Sequence, residues 1–177
     1  QRFTAARFII AVGTEPYRPA NIPFDGEAIL DPDEILELKR LPRSLTVIGA
    51  GVIGIEYATI FSALDVKVTV IEPADTLLSF IDRELVDEFI HDMRDRGMSL
   101  RFQSKVKRVT RPAHDACLVE LEDSRLVWSE MVLFAAGRKG ATESLELENC
   151  GLSTDDRGKI EVDRATFRTK LPHIFAV

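Results

Sequence analysis

The sequence predicts an α/β fold built on a parallel sheet, and three stretches carry that prediction. Leu45 to Ile48 is an apolar run that enters Gly49-Ala50-Gly51-Val52-Ile53-Gly54, and Ile53 to Leu64 repeats its apolar side chains at helical spacing. Val66 to Ile71 is a second apolar run, closed by Glu72, 18 residues after Gly54. A strand, a glycine turn, a helix and a further strand in that order make a βαβ unit, whose two strands lie parallel.

The glycines specify chemistry as well as shape. In Gly-x-Gly-x-x-Gly the first glycine permits the tight strand-to-helix turn. The second has no Cβ to hold off a pyrophosphate, and the third lets the helix pack close to the strand. The phosphates then meet free N–H groups at the positive end of a helix, so no lysine or arginine is required. Gly49, Ala50, Gly51, Val52, Ile53 and Gly54 are therefore the candidate phosphate loop of a Rossmann-like NAD(P)-binding domain. Glu72 stands where an acid accepts hydrogen bonds from the adenosine ribose. A solvated acid at a strand end is the plainer reading of Glu72, but its position is the one that the mechanism requires.

The other elements extend this sheet. Phe8 to Val12 reads as a short buried strand closing on Gly13. Pro16, Pro19 and Pro23 forbid regular structure, which makes residues 14 to 26 a surface crossover. Asp31-Pro32-Asp33-Glu34 opens a helix with Asp31 as N-cap and Ile35, Leu36 and Leu38 on its apolar side, ended by Pro42. A longer helix spans Asp82 to Arg96, with Leu85, Val86, Phe89, Ile90 and Met93 on one face and Gly97 as its stop. Leu100 to Phe102 is a third parallel strand. Val106 to Thr110, Cys117 to Leu121 and Leu126 to Trp128 form an antiparallel β-meander that replaces a crossover helix. Met131 to Ala135 is the fourth parallel strand. Because ligands bind beyond the carboxyl ends of such strands, Gly49, Glu72 and Gly137 converge on one edge. Gly158 to Val162 and Ile174 to Val177 read as strands of a different sheet.

Composition narrows the classes of function. The net charge of −6, with no basic stretch interleaved with aromatics, argues against nucleic acid. No apolar run approaches the roughly 20 residues that cross a bilayer, so a cytoplasmic protein is expected. Cys117 and Cys150 are 33 positions apart with no histidine at metal spacing, so no metal is expected, and each reads as a buried or half-buried thiol. His91, His114 and His173 are read as helix-surface, hairpin and loop residues. Trp128 and the phenylalanines are read as packing. Both ends look cut, since the chain opens in a strand lead-in and closes on an apolar strand, as in an excised part of a longer polypeptide.

Four landmarks together resemble the two-dinucleotide-binding flavoprotein family, the class I pyridine nucleotide-disulfide oxidoreductases. They are Ile10-Ala11-Val12-Gly13-Thr14-Glu15-Pro16, Gly49-Ala50-Gly51-Val52-Ile53-Gly54-Ile55-Glu56, Val68-Thr69-Val70-Ile71-Glu72 and Phe134-Ala135-Ala136-Gly137-Arg138. The resemblance implies that Val12, Gly13 and Thr14 approach FAD, Val12 departing from the usual threonine. It implies that the middle pair binds NAD(H) or NADP(H), that Val106 packs on the adenine side and that Ala136 and Gly137 lie near the nicotinamide half. It places Glu56 beside the nicotinamide as a flavin-side acid. From spacing alone Glu56 is equally an exposed helix carboxylate, and Val106 is ordinarily core.

The resemblance further implies residues 1–20 as the edge of an FAD-binding domain and crossover, 21–139 as the NAD(P)-binding domain and 140–177 as a return toward the FAD domain. The FAD fingerprint and any redox Cys-x4-Cys would lie upstream and a dimerisation domain downstream, giving a homo-oligomer. Asp65 and Gly140, where disulfide reductases such as dihydrolipoamide dehydrogenase generally carry glycine and proline, favour the transhydrogenase branch, although Ala141 departs from the asparagine common to both. The reading is an NAD(H)-binding portion of an FAD-dependent oxidoreductase that passes hydride between nicotinamide nucleotides. The disulfide reductases stand second, and a non-enzymatic NAD-binding module is the reading from another class. Residues 72 to 79 contain no arginine or lysine, which favours NAD(H) over NADP(H) unless Arg83 or Lys105 reaches a 2′-phosphate.

Overall fold

The computed structural model describes residues 3–177, so the first two residues of the 1–20 segment lie outside it. In chain order the elements are β1 (Phe8–Ile10), β2 (Thr14–Pro16), β3 (Ile29–Leu30), β4 (Ser44–Ile48), α1 (Val52–Ala63), β5 (Lys67–Ile71), α2 (Arg83–Asp95) and β6 (Ser99–Arg101). They continue as β7 (Val106–Ala113), β8 (Ala116–Leu121), β9 (Leu126–Ser129), β10 (Met131–Phe134), β11 (Arg138–Gly140) and β12 (Ile174–Ala176). The chain divides into two compact units, one of residues Arg18–Gly137 and one combining the segment up to Tyr17 with Arg138–Val177.

The Arg18–Gly137 unit is built on a five-stranded sheet in the order β3-β10-β4-β5-β6, parallel throughout. Its strands are short apolar runs because helices and the meander cover them. Val47, Val70, Ile71, Val132 and Leu133 are each at most 1% exposed. The βαβ unit is present as expected, with Ile55, Ala58 and Phe61 turning the buried side of α1 inward. On α2 the buried residues are Val86, Ile90 and Met93, and Asp82 caps the helix by accepting from the Glu84 N–H at 3.0 Å. Leu85, expected on the apolar face, is instead exposed.

The meander β7-β8-β9 forms as predicted and is antiparallel throughout. It is fastened to the sheet by polar contacts. Thr46 Oγ1 donates to Ser129 Oγ at 2.8 Å, and the buried Glu130 carboxylate accepts from Arg40 Nη1 and, at 2.6 Å, from the Arg43 N–H. Trp128, read as packing, is exposed: Val127 and Ser129 face inward, and the two-residue alternation of a strand turns Leu126 and Trp128 outward.

Three further expectations are corrected. The helix at Asp31 is a single 3-10 turn, Glu34–Glu37, with only Ile35 buried. The Asp31 carboxylate does accept from the N–H groups of Asp33 and Glu34, but the residue at the N-cap of the turn is Asp33, and the chain turns extended at Leu38, with φ −58° and ψ 128°. Residues 14 to 26 are not wholly irregular, because β2 pairs antiparallel with β11. Pro16 fits there because a two-stranded ribbon leaves an open edge on which a missing N–H costs no ladder bond. The run from Gly158 to Val162 makes only an isolated bridge, Thr154 to Ile160.

In the second unit β1 lies parallel to β12, with Phe8 opposite Ile174. The expectation of a buried first strand fails, since Phe8 is 41% and Ile9 71% exposed. A pair of strands buries only one face at most, and Ile174 joins the small core of Leu147 and Leu152, with Ile10 packed against it.

Asp65 and Gly140, singled out in the sequence, each have a physical account. Asp65 sits at φ 62°, the left-handed region that glycine occupies freely and aspartate tolerates. Gly140 donates its N–H to Arg157 O at 2.7 Å, a bond that proline cannot make, and a Cβ there would lie 2.2 Å from Gly158 O.

Candidate nucleotide-binding site

The site is assembled at the carboxyl edge of the parallel sheet. Strand β4 ends at Ile48 and β10 at Phe134, side by side, and β5 ends at Ile71 on the other flank of β4. The loops carrying Gly49 to Gly54, Glu72 and Ala135 to Gly137 therefore leave from one edge, as their strand order requires.

The three glycines of the loop do different work. Gly49 has φ 105°, and a Cβ would lie 2.7 Å from Ala135 O, so both the backbone turn and the neighbouring loop demand glycine. A Cβ on Gly54 would lie 2.0 Å from Gly49 O, and helix α1 can begin this close to the strand only because none is present. Gly51 differs from both. It is the N-cap of α1 with extended backbone at φ −75°, and nothing lies within 4 Å of where its Cβ would be. Neither strain nor packing explains glycine at 51, and the space beside it is open to a group at the helix start.

The start of α1 is open to such a group. No side chain caps it, and its first turn contains no acidic residue. The Ile55 N–H donates to Gly51 O, so the N–H groups before it belong to the unpaired first turn. Val52 is 54% exposed and Ile53 half-buried, which leaves this turn in reach of solvent.

Glu72 is half-buried and holds the loop in shape. Its carboxylate accepts from the Ala50 N–H at 2.7 Å through one oxygen and from the Ala74 N–H at 3.0 Å through the other. A carboxylate offers about four acceptor positions, so two remain for a vicinal diol. The Gly49 N–H donates to Ile71 O, and the Leu78 N–H to Ala50 O at 3.3 Å. The glycine loop, Glu72 and the 74–78 segment are thus one hydrogen-bonded assembly.

The remaining candidates are placed as follows. Ala136 is half-buried and Gly137 is exposed at φ 109°, immediately after β10 beside the Gly49 turn. Val106, half-buried, opens β7 two residues beyond Ser104, whose N–H donates to Glu72 O at 3.0 Å. Glu56 lies exposed on α1. Val12, Gly13 and Thr14 belong to the other unit, where Gly13 O accepts from the Ala141 N–H. Ala74, Leu78 and Ser104 were not legible as site residues, because they act through backbone N–H groups that leave no mark on residue type.

The cysteines and histidines take no part. Burial pushes the Cys117 thiol up to about 11, and Cys150 is exposed rather than half-buried, because it closes a short surface 3-10 turn. His91 is on the exposed side of α2, paired with Asp95, while His114 and His173 sit in turns. No group of three or more metal-ligating side chains occurs among the described residues. Nor is any helix among them long and apolar enough to cross a membrane.

Known proteins share this architecture. The family model for pyridine nucleotide-disulphide oxidoreductases matches residues 1–177. A soluble pyridine nucleotide transhydrogenase from Mycobacterium bovis BCG is 45% identical over 174 residues, which cover 98% of this chain and 37% of that protein. Another, from Salmonella paratyphi C, is 39% identical over 177 residues, covering 100% of this chain and 38% of that protein. Among solved structures, LpdA from Mycobacterium tuberculosis matches with a TM-score of 0.86 at 30% identity, over 95% of this chain and 36% of that one. The HOCl-induced flavoprotein disulfide reductase RclA from Escherichia coli matches with a TM-score of 0.82 at 31% identity, over 96% of this chain and 39% of that one. This chain therefore spans less than two-fifths of the length of these relatives. With the glycine loop in its required geometry and the family model matched from end to end, the chain belongs to the pyridine nucleotide-disulphide oxidoreductase family.

Proposed function

We propose that the Arg18–Gly137 unit binds NAD(H) across the carboxyl edge of its sheet, as the nucleotide-docking portion of an FAD-dependent oxidoreductase of the soluble transhydrogenase type. The observation that carries this reading is Gly51, a glycine with ordinary backbone angles and empty space at its Cβ, set at the uncapped start of α1. The names of the relatives at 45% and 39% identity support the type of reaction. The other unit, with Val12, Gly13 and Thr14, is assigned to the FAD side. The whole polypeptide is taken to be a cytoplasmic homo-oligomer.

In this reading the N–H groups of the first turn of α1 bind the pyrophosphate, and Gly51 admits it. Glu72 keeps its two amide bonds, which fix the loop, and turns its remaining lone pairs to the ribose hydroxyls. Val106 packs beside the adenine. Ala136 and Gly137 flank the nicotinamide end, with Glu56 on the adjacent face of α1. A nicotinamide nucleotide held there would supply or accept hydride, with FAD in the longer protein as its redox partner.

A disulfide reductase is the second reading, favoured by the likeness to RclA. Cys117 does not add to it, since its thiol is buried and burial pushes it up to about 11.

The test is the ratio of dissociation constants for NADH and NADPH in the wild type and in Glu72→Ala. A carboxylate that bonds a 2′-hydroxyl repels a 2′-phosphate, so the wild type is expected to favour NADH by about 1–3 kcal/mol, with the substitution narrowing the gap. Equal affinities in the wild type, or a gap that Glu72→Ala leaves untouched, would remove Glu72 from the ribose.

A further inference from the structure

On the outer side of β6, the edge strand of the parallel sheet, lies an open cavity of about 520 Å³ whose charged lining consists of Arg94, Arg101 and Arg125. No acidic residue lines it. Several other arginines of this acidic chain are matched to carboxylates, as Arg18 is to Asp31, Arg40 to Glu130, Arg108 to Glu120 and Arg111 to Asp25. Arg125 is paired as well, with Asp123 at 2.7 Å, and also donates to Ser104 Oγ at 3.0 Å. Arg94 and Arg101 make no ion pair with any described residue.

Arg101 is the informative member. Its Nε is buried and has no hydrogen-bond partner, the one such side-chain atom among the described residues. A buried donor attached to a full charge and left unmatched costs free energy that a folded protein ordinarily recovers through a partner. Arg94 has an explanation within the fold, since a cation in the last turn of α2 complements the helix dipole. No such account serves Arg101, which closes β6 and whose carbonyl accepts the Glu72 N–H.

We propose that Arg101, with Arg94 and Arg125, forms a phosphate-binding site on the outer edge of β6. Guanidinium groups suit this ligand, because each presents parallel N–H donors that match two oxygens of a phosphate. Placed there, the anion meets the guanidinium groups of Arg94 and Arg101, neither of which is paired with a carboxylate of any described residue, beside that of Arg125. It is either free phosphate or the 2′-phosphate of an adenine nucleotide, since Arg101 and Ser104 are bonded through their backbones to Glu72.

The site is separate from the glycine loop, so it is tested in a Gly51→Val background, where that loop is blocked, by calorimetric titration with inorganic phosphate at constant ionic strength in chloride. Saturable binding is expected, weakened about tenfold or more, the equivalent of 1.4 kcal/mol, by Arg101→Gln. Arg94→Ala, at an exposed position, is expected to weaken it in the same direction. A second arm uses adenosine 2′,5′-bisphosphate and ADP with Gly51 intact. If Arg101→Gln weakens the bisphosphate alone, the site reads the 2′-phosphate, and if it weakens neither while inorganic phosphate binding is lost, the ligand is the free anion. Phosphate binding no stronger than chloride competition allows, or unchanged in both arginine variants, overturns the proposal and leaves the reading of the glycine loop intact.

Discussion

At the residue scale, the glycine loop separates positions that serve folding from one that serves a ligand. Gly49 and Gly54 are occupied by backbone contacts at 2.7 and 2.0 Å, whereas Gly51 faces open space. Gly54→Ala is therefore predicted to lower unfolding free energy by about 2 kcal/mol or more, the cost of overpacking against a rigid carbonyl, while Gly51→Ala stays within about 0.5 kcal/mol of wild type. Urea unfolding of the two variants measures the difference, and equal destabilisation would show that Gly51 also packs. The motif was legible in the sequence because chain reversal, phosphate approach and close packing each select glycine at a fixed spacing. The bonds from Ala74 and Leu78 were not legible, because any residue but proline supplies the same N–H. Arg101 was equally silent, since nothing in a run such as Ser99-Leu100-Arg101 shows whether an arginine finds an acid.

At the element scale, the long periodic segments were read well and the short ones poorly. Both helices and four of the five parallel strands carry enough repeats for their period to show. The fifth, Ile29–Leu30, has two residues and no pattern to detect. The Asp31 segment shows how correct local hydrogen bonding can open an incorrect helix: the Asp31 carboxylate accepts from the Asp33 and Glu34 N–H groups, but the chain turns extended at Leu38. Where cap and length agree, as at Asp82, replacement by alanine is predicted to cost about 1 kcal/mol of stability, read from thermal or urea unfolding. An unchanged midpoint would mean that solvent satisfies the first turn of α2 equally well.

The latch between the meander and the sheet yields a pH prediction. The Arg43 backbone N–H, followed by the Arg40 guanidinium, holds the buried Glu130 carboxyl below its ordinary value of 4.5. A carboxyl depressed on folding stabilises the fold above its unfolded value and loses that contribution as pH falls through its folded one. Glu130→Gln is thus predicted to cost about 1–2 kcal/mol near neutral pH, with the gap from wild type closing below 4.5. A gap that persists undiminished into acid would assign the loss to packing rather than to charge.

At the scale of the whole molecule, the chain is two units of unequal legibility. The Arg18–Gly137 unit follows the rule that short apolar parallel strands need covering on both faces, so its sheet order is close to what its pattern dictates. The other unit is a pair of two-stranded ribbons and irregular chain, in which Phe8 and Ile9 are exposed, and apolar content alone misplaced its first strand. The chain contains a single Gly-x-Gly-x-x-Gly, which the account assigns to the nicotinamide nucleotide. The purified chain is accordingly predicted to be colourless, and a stoichiometric flavin absorption spectrum would show that the Val12-Gly13-Thr14 side holds FAD unaided. The central claim, that the open helix start at Gly51 is a pyrophosphate site, is tested most directly by calorimetric titration of this chain with NADH, in the wild type and in Gly51→Val. The account predicts saturable binding with one nucleotide per chain in the wild type, and at least a hundredfold weaker binding in a variant whose thermal midpoint is unchanged. Equal NADH affinity in a folded Gly51→Val chain would contradict it.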